Sequence, residues 1–105
     1  MTLGYAAENP TRAEIDQASG LTVLQFGTNW CGYCRAAERY VNPVLAKAEG
    51  IEHVKVEDGK GYPLGRSFRV KLWPTLVFLN DGEEVARVVR PTSQDEVSQA
   101  LAKLA

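Results

Sequence analysis

The sequence predicts an α/β fold, with a central mixed β-sheet of four to five strands and helices on both faces. Short β-branched, apolar runs alternate with segments of helical periodicity along most of the chain. The last two apolar runs are joined by Asp81-Gly82, a dipeptide typical of tight hairpin turns. Strand–helix–strand units followed by a terminal hairpin give a sheet with both parallel and antiparallel pairs.

Two of the predicted helices carry capping signals. Thr11 and Glu14 have capping-box spacing at the start of the first helix, which Gly20 can end. Ser93 and Glu96 have the same spacing at the start of the last helix, which runs to the end of the chain. A strand before the first helix is possible but has little support in the sequence.

The middle of the chain contains the longest helical pattern and the strands of the sheet. The helix is predicted over 34–50, and Pro43 inside it predicts a kink or a break. A short helical turn is predicted around 64–68. The predicted strands, identified by β-branched and apolar content, are 21–26, 51–57, 74–80 and 83–90.

Size and charge restrict the classes of function. The chain has 105 residues, which fits one domain over 1–105, and 45% of them are hydrophobic. The net charge of −1 gives no electrostatic footprint for nucleic acid or for an anionic membrane surface. The apolar runs are too short to span a membrane, and the N-terminus lacks the pattern of a signal peptide. We therefore expect a cytoplasmic protein.

The two cysteines of the chain, Cys31 and Cys34, allow three interpretations: a structural disulfide, part of a metal site, or a redox dithiol. A structural disulfide is disfavoured because a core of this size does not require one and because closing so short a loop adds little stability. A structural zinc site needs four ligands, and the chain offers two Cys and one His. That histidine, His53, lies in a strand pattern where a polar position is usually solvated.

A redox dithiol fits the position of the pair best. Cys31 directly follows a predicted strand and begins a predicted helix, where unpaired N–H groups and the helix dipole favour a thiolate. Cys34 is one turn further along, close enough to attack a mixed disulfide formed at Cys31. The spacing therefore favours thiol–disulfide exchange.

Two segments together resemble the thioredoxin family. "VLQFGTNWCGYCR" is similar to the family's active-site segment, and "FRVKLWPTLVFLNDGEEV" is similar to its segment around a cis-proline. The resemblance extends from about residue 11 to the C-terminus and implies a thioredoxin fold. It implies that Cys31 is the nucleophile and Cys34 the resolving thiol, and that Trp30 borders the partner groove. It also implies that Pro74 is cis and places the backbone of Trp73 beside the sulfurs, where a substrate segment can pair with it.

The sequence departs from the family inside the active-site strand and between the cysteines. Gln25 stands where thioredoxins have a buried Asp that is regarded as a proton acceptor, and a Gln cannot act as a general base. Lys55 matches the family's buried lysine and, lacking that carboxylate, either stays buried or turns to solvent. Tyr33 replaces a proline and restores a backbone N–H, which predicts a more oxidising disulfide. Alternatively, Tyr33 faces solvent with little effect.

Further departures lie in the second half of the active-site helix and in the partner groove. Arg39 occupies the position of the family's helix proline, so that any kink moves to Pro43. Arg90 and Leu72 replace glycines, and Trp73 replaces a smaller apolar residue. Arg90 is either a solvated charge at a strand end or a cation that leans toward Cys31, where it would select acidic partners. These changes predict a partner set different from that of general thioredoxins.

The resemblance implies a thiol–disulfide oxidoreductase that reduces protein disulfides through the Cys31/Cys34 dithiol. The expected partners are protein or small-molecule disulfides and a reductase or small thiol that donates electrons. We expect a monomer with no bound cofactor and no metal, because the dithiol is itself the redox group. Two alternatives stay open: a disulfide isomerase or oxidant, favoured by the Gly-Tyr dipeptide, and a binding module with limited turnover.

Overall fold

The computed structural model describes residues 9–104, so the weakly supported strand before the first helix lies outside the described residues. None of the helices within that range is long and apolar enough to cross a membrane. The elements follow in the predicted order: α1 (Arg12–Gln17), β1 (Leu21–Gly27), α2 (Gly32–Lys47), β2 (Ile51–Glu57), α3 (Pro63–Ser67), β3 (Thr75–Asn80), β4 (Glu83–Val89) and α4 (Gln94–Ala102).

The four strands form one mixed sheet in the order β2-β1-β3-β4. β1 pairs parallel with β2 and antiparallel with β3, and β3 pairs antiparallel with β4. The β3–β4 turn has positive φ at both Asp81 (51°) and Gly82 (81°), the conformation that a two-residue hairpin of this kind requires. The predicted mixed sheet and its terminal hairpin are confirmed.

Helices cover both faces of the sheet, as predicted. Alternation along the strands sends neighbouring side chains to opposite faces, which produces two apolar cores. α2 and α4 cover the first core, and α1 and α3 cover the second. The first core contains Val23, Ala37, Val41, Leu45, Leu76, Phe78, Val97, Ala100 and Leu104. The second contains Ile15, Leu24, Phe26, Val56, Leu64, Phe68, Val77 and Leu79.

The two predicted capping boxes have different outcomes. At α1, the Glu14 backbone N–H donates to Thr11 Oγ1 (3.1 Å), and the Thr11 N–H donates to Glu14 Oε1 (2.9 Å), which completes the box. At α4, the Glu96 N–H donates to Ser93 Oγ (3.3 Å). The Glu96 carboxylate, however, accepts from the backbone N–H and the hydroxyl of Thr92 (both 3.0 Å), one residue earlier than the box predicts.

α2 is continuous through Pro43, so of the predicted kink or break the break does not occur, and the kink stays a prediction. A proline removes one backbone donor, which is a local loss. The buried face of α2, with Ala37 and Val41 before the proline and Leu45 after it, packs in the first core on both sides of that point. Packing therefore holds the two halves in one helix, and its first turn remains aligned with the end of β1.

Candidate active site

The cysteine pair lies where β1 passes into α2. Cys31 is the N-cap residue of α2, and its Sγ accepts a hydrogen bond from the backbone N–H of Cys34 at 3.2 Å. Both residues are thiols, with 7% of Cys31 and 2% of Cys34 exposed. A sulfur in the N-cap position faces unpaired N–H groups and the positive end of the helix dipole, which stabilise negative charge on it. The structure thus brings the pair together at the predicted helix start.

Trp73 and Pro74 face the cysteines from the loop before β3. The Trp73–Pro74 peptide bond is cis, and the Trp73 side chain packs against Cys31 and Cys34. The ring of Trp30 meets that of Trp73 edge to face, with centroids 5.7 Å apart. Trp30 is 72% exposed, so an apolar surface open to a partner lies beside the sulfurs.

Asp58 holds Trp73 in place, and the sequence analysis did not anticipate it. The indole Nε1–H of Trp73 donates to Asp58 Oδ2 at 2.8 Å. Asp58 is buried, and its own N–H donates to the carbonyl of Gly27 at the end of β1 (2.9 Å). A side chain at Gly65 of α3 would overlap the Asp58 carboxyl group. No pattern in the sequence connects this acid with a tryptophan fifteen residues later.

Arg90 closes one side of the groove. Its backbone has φ +48°, a conformation that glycine adopts easily, which is consistent with the glycine that the resemblance assigns to this position. Its Nε donates to the carbonyl of Trp73 (2.8 Å), and its guanidinium carbon lies 3.8 Å from the centroid of the Tyr33 ring. Arg90 is therefore not a solvated charge at a strand end. Its side-chain contacts are with Trp73 and Tyr33, rather than with the Cys31 sulfur, and its backbone N–H donates to the carbonyl of Pro74 (2.9 Å).

Tyr33 and Leu72 complete the exposed rim of the groove. Tyr33, between the two cysteines, is 61% exposed, and Leu72, directly before Trp73, is 48% exposed. Because the Arg90 guanidinium stacks on the Tyr33 ring, Tyr33 does more than face solvent. Apart from this cation, the rim is apolar and aromatic, a composition suited to contact with another protein.

Gln25 lies in a partly buried polar pair that the sequence analysis did not predict. Its side chain is fully buried, and its Oε1 lies 2.8 Å from His53 Nε2 on β2. Burial, and secondarily the charge of Lys55, lower the pKa of His53 to about 4, so the ring is neutral at neutral pH. The expectation of a solvated His53 is wrong, because the ring is half-buried and lies against the Gln25 side chain.

Lys55 is buried, which contradicts the alternative that it turns to solvent. Only 4% of its side chain is exposed, and its Nζ lies 3.6 Å from Glu38 Oε1 on α2. Lys55 is the register partner of Gln25 across the β1–β2 pair. A carboxylate from the helix thus supplies the counter-charge that Gln25 cannot provide, and sequence reasoning missed it because the pair joins two separate elements.

The potential metal ligands among the described residues are His, Cys, Asp and Glu side chains. Within residues 9–104, no group of three or more His, Cys, Asp or Glu side chains is placed to hold a metal ion. The chemistry available at this site is that of two adjacent thiols at a helix N-terminus, bordered by an aromatic groove.

Comparison with known families agrees with this geometry. The model of the family described as Thioredoxin matches residues 5–103, nearly the whole chain. The chain belongs to the thioredoxin family. With the two cysteines of the motif in contact, this thioredoxin-family protein is a thiol–disulfide oxidoreductase, the class to which thioredoxins belong as protein-disulfide reductases.

Solved thioredoxin structures share the fold. The chain is similar to thioredoxin 2 from Pseudomonas aeruginosa PAO1 in its reduced form, with 52% identity and a TM-score of 0.88 over 99% of this chain and 96% of that one. Thioredoxin NaTrxh from Nicotiana alata has 30% identity and a TM-score of 0.72, over 88% of this chain and 79% of that one.

Plant thioredoxins are among the sequence relatives. Thioredoxin H2 from Arabidopsis thaliana is 29% identical over 91 residues, which cover 87% of this chain and 68% of the relative. Thioredoxin H-type 1 from Nicotiana tabacum is 36% identical over 87 residues, covering 79% of this chain and 65% of the relative. The chain thus spans about two thirds of the length of these two thioredoxins.

Proposed function

We propose that this protein reduces the disulfides of other proteins through a mixed disulfide. The thiolate of Cys31 attacks a substrate disulfide, forms a bond with one substrate sulfur and releases the other as a thiolate. Cys34 then attacks the Cys31 sulfur and releases the second substrate thiol. The observation that carries the proposal is the contact between Cys34 N and Cys31 Sγ at 3.2 Å, at a helix N-terminus, beside an open aromatic surface.

The groove residues provide the binding surface in this proposal. Trp30 and Trp73 offer apolar contact area beside Cys31, and Pro74 turns the chain so that the backbone of Trp73 borders the cysteines. The Arg90 side chain already donates a hydrogen bond to the Trp73 carbonyl. An extended substrate therefore either competes with Arg90 for that acceptor or binds without using it. The substrates are therefore disulfides in segments that fit a narrowed groove.

The dithiol must be reduced again after each turnover. Oxidised protein needs two electrons to return to the dithiol, and a reductase or a small thiol supplies them in the cytoplasm. The protein acts as a monomer without a bound cofactor, because the dithiol carries the electrons itself. The balanced surface charge, with a net value of −1, supports a soluble partner rather than nucleic acid or a membrane.

Insulin reduction with dithiothreitol as electron donor tests the proposal. The wild type is expected to accelerate precipitation of the insulin B chain, and Cys31→Ser is expected to abolish the acceleration. When Cys34→Ser is first reduced, freed of dithiothreitol and then mixed with insulin, it should accumulate a covalent mixed disulfide between Cys31 and insulin, visible by mass spectrometry. A wild type as slow as Cys31→Ser would contradict the proposal and favour the binding module.

Tyr33 supports a second candidate, a disulfide isomerase or oxidant. Where the family has proline, Tyr33 carries a backbone N–H near the start of α2, and N–H donors favour the reduced form of the dithiol. Equilibration with glutathione gives the reduction potential of the dithiol. For this two-electron couple, a difference of about 30 mV corresponds to roughly 1.4 kcal/mol of free energy. A potential close to that of glutathione, with Tyr33→Pro shifting it to more reducing values, would favour this candidate over a reductase.

A further inference from the structure

Cys34 has a proton to lose before it can act. Its side chain is 2% exposed, so bulk water has little access to the thiol. In the proposed function, from which this inference follows, the Cys34 sulfur attacks a mixed disulfide at Cys31, and the attacking species is the thiolate. A group of the protein close to Cys34 therefore has to receive its proton.

The sheet face below α2 presents polar side chains near this thiol. Val23 of β1 packs with Val41 of α2 in the first core, which identifies the face of the sheet that α2 covers. Side chains alternate along a strand, so Gln25 lies on that same face, closer to the end of β1 that leads to the cysteines. The parallel register places Lys55 directly beside Gln25.

Glu38 of α2 supplies a carboxylate next to Lys55, the residue beside Gln25. It follows Cys34 by four residues on α2, a spacing that puts Cβ atoms about 5–6 Å apart on one helix face. Its Oε1 is 3.6 Å from Lys55 Nζ. Lys55 is buried and needs a counter-charge, so the ion pair keeps the half-exposed Glu38 carboxylate turned toward the sheet. The same orientation keeps it on the side of α2 where Cys34 lies.

We propose that Glu38 receives the proton of Cys34 in the resolving step, and that Lys55 positions its carboxylate. The Cys34 S–H bond breaks, and the proton passes to Glu38. The Cys34 sulfur bonds to the Cys31 sulfur while the bond between Cys31 and the substrate sulfur breaks, and the substrate leaves as a thiolate. The protein dithiol is oxidised by two electrons, and the substrate disulfide is reduced by two.

The other groups that face Cys34 are less suited to this role. Cys31 is part of the mixed disulfide at that moment, and the Gln25 amide does not accept a proton near neutral pH. Lys55 is a cation without a free lone pair when it is paired with Glu38. The Nε2 of His53 is already hydrogen-bonded to Gln25. The register partner of His53 is Val23, which lies two residues further than Gln25 from the end of β1 that leads to the cysteines.

Stopped-flow reaction of the reduced protein with excess Ellman's reagent tests the proposal. The attack of Cys31 gives a phase whose rate rises with reagent concentration, whereas the resolving step gives a concentration-independent release of the second aromatic thiolate. Glu38→Gln should slow the second phase about a hundredfold at pH 7, the low end of general base effects, and leave the first phase unchanged. Glu52→Gln, an exposed carboxylate on the opposite face of β2, is the matched control and should change neither phase.

Two further measurements separate proton transfer from a structural role of Glu38. The second phase of Glu38→Gln should rise in proportion to hydroxide concentration, while the wild type stays faster near neutral pH. Adding Gln25→Asp to Glu38→Gln should restore the second phase, because it places a carboxylate on the same sheet face. These results would support the proposal, whereas a loss of the second phase in His53→Gln but not in Glu38→Gln would assign the proton to His53 and overturn it.

The outcomes also distinguish this inference from the proposed function. Cys34→Ser must eliminate the second phase. A wild type that itself lacks a second phase would overturn the proposed function and this inference with it. A normal second phase in folded Glu38→Gln at neutral pH would overturn the inference alone.

Discussion

The guanidinium of Arg90 lies 3.8 Å from the centre of the Tyr33 ring, so a cation from the segment after β4 stacks on the residue between the two cysteines. The same side chain donates to the carbonyl of Trp73. Arg90 thus bridges the N-terminus of α2 and the loop that contains Pro74. If substrates bind in the groove as proposed, we expect a substrate chain to meet this bridge beside Cys31.

Arg90→Gly should open the groove and increase kcat/KM for insulin. The stacking on Tyr33 is worth about 0.5–1 kcal/mol, and the hydrogen bond to Trp73 adds about 1.5–3 kcal/mol. Glycine removes about 1–3 kcal/mol of strain at φ +48°, so the free energy of unfolding should change little. Insulin turnover and urea unfolding measure the two effects.

Arg90→Lys is the control for this prediction. It keeps the charge and the positive φ but loses the planar fork that stacks on Tyr33. Activity should therefore rise less than in Arg90→Gly, and stability should fall. Because a steric barrier does not respond to ionic strength, the gain in Arg90→Gly should persist at 1 M salt, where the Debye length is about 3 Å. Equal activities of the wild type and Arg90→Gly would leave Arg90 without a role in substrate access.

Alkylation of the reduced protein should modify Cys31 before Cys34. The Cys31 sulfur is at the N-cap of α2 and is the more exposed of the two, with 7% against 2% of the residue accessible. Timed reaction with iodoacetamide at pH 7, followed by peptide mapping, gives the order. Cys34→Ser should keep the rate of the wild type, while Cys31→Ser should react far more slowly. Faster labelling of Cys34 in the wild type would reverse the assigned roles.

His53 should make stability depend on pH in the acidic range. Its pKa is about 4 in the folded protein, against 6.5 for an unperturbed histidine, so the unfolded chain binds more protons between these values. Stability is therefore complete above pH 6.5 and falls as the pH drops toward 4. The loss is about 2 kcal/mol once solvent screening of the partly exposed ring is included.

Urea unfolding of the wild type and His53→Gln at several pH values measures this contribution. The variant keeps a polar partner for Gln25 but has no titrating ring, so its stability should fall less between pH 6.5 and 4. The difference between the two proteins isolates the histidine from the carboxylates that titrate in the same range. Parallel stability curves would show that the ring is not held neutral.

Gly65→Ala should destabilise the protein by about 1–3 kcal/mol, the usual cost of overpacking a buried position. A Cβ at Gly65 overlaps the Asp58 carboxyl group, which anchors the indole of Trp73. Trp73 should then lose its fixed position beside the cysteines, and insulin reduction should slow. Denaturant unfolding, tryptophan fluorescence and turnover report the three effects.

Asp58→Asn serves as the comparison for Gly65→Ala. It keeps the shape of the side chain and an oxygen that accepts from Trp73, so activity should stay closer to that of the wild type. Full activity in Gly65→Ala would show that the position of Trp73 does not depend on Asp58.

Most of the fold could be predicted because its signals are local. The capping box of Thr11 and Glu14, the Asp81-Gly82 turn and the apolar strands each act within a few residues. Of the kink or break that local backbone chemistry predicts at Pro43, the break does not occur, because packing on both sides of the proline keeps the helix continuous.

In the candidate site, too, local signals could be read from the sequence and contacts between distant elements could not. Short motifs and the family resemblance predicted Cys31, Cys34, Trp73 and Pro74, and the structure places these residues together. Glu38 was missed because the contact that defines it crosses between separate elements, from α2 to Lys55 on β2. The same holds for the bond of Gln25 to His53, 28 residues away, and for the bond of Asp58 to Trp73. Hydrophobic periodicity carries no information about which polar side chains will meet.

The dipeptide between the cysteines lies outside both apolar cores. Gly32 is exposed, and within the part of the chain that the structure describes a methyl group there would meet no atom within 4 Å. Tyr33 points outward and contacts Arg90. These two positions can therefore change identity while the scaffold keeps its packing. We therefore expect one or two mutations here to change the electron affinity of the dithiol while costing little more stability than the Arg90–Tyr33 stacking, about 0.5–1 kcal/mol.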